Sequence, residues 1–263
     1  MAKAKHRAWF YQGARTLRAV ARERGFEHAF PSDEHWYLCP LCLDIIFTVD
    51  ELDTGELSVE HAPPKALGGN EVTLTCRKCN NDAGTKFDAE AHKETRLRML
   101  FSGQSERPET VALSFGDVTA RVKMHVSGQS GTMFIGDPKI NEPGTFERLS
   151  QHMRMLSETR NANIEWTVTP HLKYSPDRAR VAWIRAAYLA AFSLFGWKYI
   201  LRETLQPIRE HLIDPSSATL PLLSMYDPKG DPNRKQVWLV KEPVGQRSLL
   251  VAWGRQIVFL PAP

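Results

Sequence analysis

The sequence predicts an α+β protein in which a small, cysteine-anchored module of strand, turn, strand and helix precedes a larger α+β region. Three observations carry this. All four cysteines fall between Cys39 and Cys79, as two CxxC pairs. Short runs with period-two alternation, bounded by glycine and proline, are interspersed with segments whose apolar residues recur at three- and four-residue steps. The composition, 42% hydrophobic and 24% charged over 263 residues, is that of an ordinary globular chain and argues against wholesale disorder, collagen-like repeats and coiled coil.

The chain opens with a basic segment, expected as a unit over residues 1–30. Lys3, Lys5, Arg7, Arg15, Arg18, Arg22 and Arg24 outnumber Glu23 and Glu27, while Trp9, Phe10, Leu17, Val20 and Ala21 outline an amphipathic helix from about Ala8 to Arg24, ended by Gly25. The start of the chain has no apolar h-region and no small-residue cleavage site, so it does not read as a secretory signal. The expected compartment is therefore the reducing cytoplasm, which argues against structural disulfides.

The next unit is expected over residues 37–101. Cys39-Pro-Leu-Cys42 and, 33 residues later, Cys76-Arg-Lys-Cys79 each point two thiolates into one volume, and together they complete a tetrahedral S₄ site suited to structural zinc. A thioredoxin-like redox pair would need a βαβ pattern that is absent here and would leave the second CxxC unexplained. Iron in the same S₄ geometry is the other alternative; there the residue after the knuckle is usually glycine, and here Leu43 and Asn80 stand in that place. Between the pairs, Leu57 and Val59 alternate with Ser58 and Glu60 as a strand end, Pro63-Pro64 stops it, Gly68-Gly69-Asn70 reverses the chain, and Val72, Leu74 and Thr75 return as a second strand. Residues Phe87 to Phe101 are helix-forming, and Asp88 reads on physical grounds as an exposed helix acid.

Residues 109–263 are expected as an α+β domain. Val111–Phe115 and Val118–Val126 form a hairpin about the Gly116-Asp117 turn, followed by a strand over Thr132–Ile135, a helix over Phe146–Glu158 and a strand over Asn163–Val168. Ser175-Pro176-Asp177 starts the clearest helix, with Val181, Ile184, Tyr188, Phe192 and Phe195 as its core stripe. Gly196 breaks it, and a second helix perturbed by Pro207 runs to about His211. Val181 to Leu201 is apolar, but Arg185, Ser193, Gly196 and Lys198 interrupt it, so a buried helix fits better than a bilayer span and no membrane partner is expected. Val237–Val240, Leu249–Trp253 and Gln256–Leu260 close the chain as strands. His125, His152 and His171 read as ordinary surface or packed residues.

The segment EHxxPxALGG, followed by CxxCN and then Gly84 and Asp88, resembles the HNH endonucleases of the ββα-metal fold, most of all their zinc-knuckle branch. The resemblance covers roughly Tyr37 to Phe101, under a third of the chain. It implies a zinc-anchored ββα-metal HNH module followed by the α+β C-terminal domain. It also implies a metal-dependent endonuclease that leaves 5′-phosphate and 3′-hydroxyl ends, with DNA ahead of RNA as substrate. On that resemblance His61 is the general base, Glu60 and Asn80 bind a catalytic divalent ion such as Mg²⁺, Asn70 braces the catalytic loop, and Cys39, Cys42, Cys76 and Cys79 hold the zinc. Many members carry histidine where Asn80 stands. Lys65, Arg77, Lys78 and Lys86 would contact phosphates, and the basic first helix would track the backbone; a net charge of +4 permits a nucleic-acid partner without demanding one. The C-terminal domain is expected to select substrate or contact a protein partner. The alternative reading is a zinc-stabilised binding module whose HNH site is inactive.

Overall fold

The computed structural model describes residues 2–30, 35–128, 130–134, 141–158, 167–216, 223–243 and 247–263. Of the expected strands, residues 163–166 and Ile135 lie outside the described residues. The chain forms two compact units, Met1–Ala91 together with Pro176–Pro263, and His92–Ser175. The division expected at residues 101–109 falls inside the second unit. Residues 176–263 belong with the cysteine region, because a long helix from the C-terminal part packs against it.

In the first unit, α1 (Ala2–Glu23) buries Phe10, Leu17, Val20 and Ala21 as expected, together with Ala14, while Trp9 is only half-buried; the helix begins six residues before Ala8. Gly25, in the left-handed region, follows it. Two short paired strands, β1 (Tyr37–Leu38) and β2 (Ile46–Phe47), flank the first CxxC. After a single helical turn, α2 (Glu51–Thr54), the chain forms the antiparallel hairpin of β3 (Leu57–Ala62) and β4 (Asn70–Cys76). The rungs run Leu57–Cys76 to Glu60–Thr73 and then slip: His61 pairs with Glu71, leaving Val72 as an extra residue on β4.

From Arg77 to Phe101 the chain is helical throughout, as α3 (Arg77–Ala83), a π-helical turn over Gly84–Asp88, and α4 (Ala89–Phe101). The helix expected from Phe87 therefore starts ten residues earlier, at the knuckle itself. Its first donors are satisfied there, since Cys76 is extended and its sulfur accepts from the Cys79 amide.

The second unit holds the sheet β7–β6–β5–β8, made of β5 (Glu109–Phe115), β6 (Val118–Ser127), β7 (Ser130–Phe134) and β8 (Thr167–Pro170). The Gly116-Asp117 turn sits where expected, between the paired Phe115 and Val118. Val111, Leu113, Val118, Ala120 and Val122 alternate onto one face and pack with Leu100 and with Leu149 of α5 (Thr145–Glu158).

The chain then returns to the first unit through α6 (Pro176–Ile200), bent at Gly196, whose φ is 65° and ψ −159°. Val181, Ile184, Tyr188 and Phe192 are buried as expected; Phe195 is 40% exposed, because the bend follows it directly. After α7 (Gln206–Ile213), which carries Pro207 in its first turn, come β9 (Ser224–Tyr226), β10 (Lys235–Val240), β11 (Ser248–Trp253) and β12 (Gln256–Pro261). They form an antiparallel sheet in the order β10–β11–β12–β9 that packs on α6 through Leu249, Val251, Val258 and Leu260.

The connection between β3 and β4 depends on Gly69. A Cβ there would lie 1.4 Å from the Pro63 carbonyl oxygen, whereas at Gly68, with φ of 75°, it would meet open space. Gly69→Ala is expected to lower stability by about 3 kcal/mol or more, because backbone must move. Gly68→Ala is expected to lose only about 1–2 kcal/mol for its left-handed φ. Denaturant unfolding of the two variants checks the order, and equal losses would contradict the close approach.

Candidate functional site

The sulfurs of Cys39, Cys42, Cys76 and Cys79 all lie within 4.8 Å of one another. A tetrahedral zinc with Zn–S bonds of about 2.3 Å places its sulfurs about 3.8 Å apart, so the cluster needs only a slight contraction to hold the ion. Crowding polarises the thiols. Hydrogen bonding with Cys39 pulls Cys42 well below the ordinary thiol range, and hydrogen bonds with Cys42 and Cys39 respectively push Cys39 and Cys79 up. Ionising all four sulfurs in this volume would require a cation among them. The sequence expectation of a four-cysteine site that could bind zinc is met.

Local structure holds the cluster in three ways. Cys76 is at once the last residue of β4, the N-cap of α3 and a member of the four-cysteine cluster. In the first knuckle Leu43 takes a φ of 58°, a left-handed conformation that costs a non-glycine residue about 1–2 kcal/mol, and its amide donates to the Cys39 carbonyl at 3.0 Å. From α6, the Tyr188 hydroxyl donates to the Pro40 carbonyl at 3.0 Å.

The hairpin places the other expected residues. His61 is half-buried at the slipped end of β3, and its ring makes no hydrogen bond among the described residues. Its neighbour across the ladder, Glu71, accepts from Lys5 at 3.0 Å and shares a 3.3 Å contact with His6, so the start of α1 is tied beside it. The Asn80 side-chain amide donates to Ser58 Oγ at 3.0 Å and to the Val59 carbonyl at 3.2 Å, stitching α3 to β3, while its Oδ1 accepts nothing among the described residues. Asn70 is exposed at the first position of β4. Lys65, Arg77, Lys78 and Lys86 are all exposed; Arg77 pairs with Glu56 and Lys86 with Asp82, and Lys65 and Lys78 have no ion pair among the described residues.

Glu60 is engaged elsewhere. It is 3% exposed, and its two oxygens accept from Arg185 Nη1 at 3.0 Å and Nη2 at 2.6 Å, with Thr75 Oγ1 donating to Oε2 at 3.2 Å. Mg²⁺ takes near-octahedral oxygen coordination, usually with one or two carboxylates. With Glu60 committed to a guanidinium and only the neutral Asn80 Oδ1 free, the pair expected to hold a divalent ion does not fit one in this arrangement.

Two residues of this cluster escape a local reading. Arg185 reads in the sequence as an interruption of an apolar helix, and it is 3% exposed. Burial works against its charge, yet Glu60 outweighs burial and holds it firmly protonated. Asp88, expected as an exposed helix acid, instead has a buried Oδ1 without a hydrogen-bond partner among the described residues. The π turn that carries it packs against α6, which is why it is not on the surface. Burial pushes its carboxyl above the ordinary range, Arg185 pulls it partly back, and Glu60 adds to the rise.

Cys76→Ser, or treatment with a strong chelator, is expected to remove zinc, about one ion per chain by elemental analysis, and to lower the unfolding midpoint sharply. A zinc-free variant with unchanged stability would contradict the anchoring role. Asp88 has its pKa raised on folding, so its ionised form destabilises the fold and its neutral form does not. Asp88→Asn is therefore expected to raise the unfolding midpoint near pH 7, with a gain that shrinks on acidification through the range where an unfolded aspartate becomes protonated, about pH 4. A gain that grows as pH falls would contradict this. No helix among the described residues is long and apolar enough to cross a membrane. Comparison with known proteins finds no family, no curated protein and no solved structure that matches this chain.

Proposed function

We propose that the chain is an HNH-type endonuclease that hydrolyses phosphodiester bonds in nucleic acid, with DNA as the substrate to test first and His61 as the general base. The observation that carries this reading is the state of His61: a half-buried imidazole without a hydrogen-bond partner among the described residues, at the slipped end of a hairpin whose other end is built into a four-cysteine cluster. Imidazole is the side chain suited to taking a proton from water near neutral pH. The surrounding ladder and the Asn80 stitch fix the stretch of β3 from which that ring projects, which is a first step in orienting a base. Lys65 and Lys78 supply exposed positive charge for a phosphate backbone. A Cys₄ zinc keeps the hairpin and helix in register and takes no part in the chemistry.

The commitment of Glu60 to Arg185 favours a second reading, in which the same scaffold binds nucleic acid or a protein without cutting. A cleavage assay on supercoiled plasmid, linear duplex, single-stranded DNA and RNA separates the two. It is run with Mg²⁺ or Mn²⁺, and without added metal, on zinc-loaded protein. His61→Ala is expected to reduce cutting by about 100-fold or more while zinc content and unfolding midpoint stay as in the parent. Full activity in that variant would remove His61 from the reaction. Folded, zinc-loaded parent that binds a substrate and never cuts it would favour the binding module.

A further inference from the structure

The resemblance would make Glu60 a ligand, yet its surroundings describe a different job. Its carboxylate and the Arg185 guanidinium meet fork to fork, the geometry that makes such pairs both strong and directional. Both partners are almost fully buried, so a metal ion taking Glu60 would strand an arginine in the interior. Thr75 fills a further acceptor position on Oε2.

The place of this pair in the ladder gives it leverage. Glu60–Thr73 is the last regular rung before the slip, and His61–Glu71 is the first rung after it. A clamp on Glu60 therefore fixes the point from which β3 departs towards His61. Arg185 is itself firmly seated, because Tyr188, one helical turn on, is bonded to the Pro40 carbonyl between the first two cysteines.

We infer that Arg185 is a positioning residue for His61, acting through Glu60, and that Glu60 serves as a strut and not as a ligand to a divalent ion. The inference rests on the reading of His61 as the reactive group, but the strut itself does not.

The test uses the full zinc-loaded chain and the variants Glu60→Gln, Glu60→Met, Arg185→Lys, Arg185→Met and Glu60→Met/Arg185→Met. Four quantities are read: the unfolding midpoint, the His61 ring signals by NMR, Mn²⁺ affinity by electron paramagnetic resonance, and kcat and KM where the parent cuts. In Arg185→Met the His61 ring signals shift and kcat falls about tenfold or more with KM within about twofold, while Arg185→Lys recovers part of both. The double variant is more stable than the sum of the single losses allows, because neither charge is left alone. Mn²⁺ affinity in Glu60→Gln stays within about twofold of the parent, or is undetectable in both.

Two results overturn the inference: a loss of Mn²⁺ affinity beyond about tenfold in Glu60→Gln, which makes Glu60 a ligand, or unmoved His61 ring signals in a folded Arg185→Met. If Arg185→Met does not fold, Arg185→Lys carries the ring-signal test. A parent that cuts nothing defeats the nuclease reading alone, since ring signals, Mn²⁺ affinity and the stability cycle still decide whether Arg185 acts through Glu60.

Discussion

A helix buried on nearly every side must find a partner for each polar group it carries, because an unmet donor in the interior forfeits its hydration without return. Helix α6 is in that position, and each solution it has found is also a fastening. Arg185 reaches Glu60 on the hairpin, Tyr188 reaches the Pro40 carbonyl in the first knuckle, Trp197 reaches the Gly13 carbonyl in α1, and Tyr199 reaches the Pro261 carbonyl at the end of β12. Four separate parts of the first unit thus depend on one helix. Apolar packing supplies most of the favourable energy, but it is non-directional, and these polar bonds fix where each part sits.

The cysteine cluster and the hairpin form a second, smaller system joined to the first. Cys76 closes the ladder opposite Leu57, caps the helix that follows and presents its sulfur to the cluster. Asn80, four residues later, returns to the middle of β3. Binding a metal at the knuckles therefore constrains the far end of the hairpin without any long chain of contacts, since only one strand and one helical turn intervene. The small size of the module makes such bracing necessary, because so few residues cannot bury enough apolar surface alone.

What could be read from the sequence was local. The CxxC spacing, the Gly68-Gly69 reversal, the Gly116-Asp117 turn, the start of α6 and the Gly196 bend each rest on a few neighbouring residues whose conformational preferences are strong. What could not be read depends on partners far along the chain. Glu60 in isolation is an acidic residue at a strand end, and nothing near it announces an arginine 125 positions away. Asp88 has the composition of a surface helix residue and is turned inward by a π turn that no propensity foretells. The boundary between units was illegible for the same reason: residues 176–263 have ample apolar content to suggest independence, and only packing assigns them to the cysteine region. At the site, residue identities were legible, and the engagement of Glu60 was not.

The interleaved path of the first unit has a consequence for synthesis. The chain leaves that unit after Ala91 and re-enters at Pro176, with the whole second unit made in between. At about 5–20 residues per second, Glu60 emerges from translation on the order of ten seconds before Arg185 exists. During that interval the hairpin can close and the cysteines can take up metal, but the carboxylate has no cation to meet and keeps its water. The second unit, whose contacts are all nearer in sequence, can finish folding first. Burial of Glu60 is therefore a late event by construction, and the final shape of the hairpin end awaits a helix from the last third of the chain.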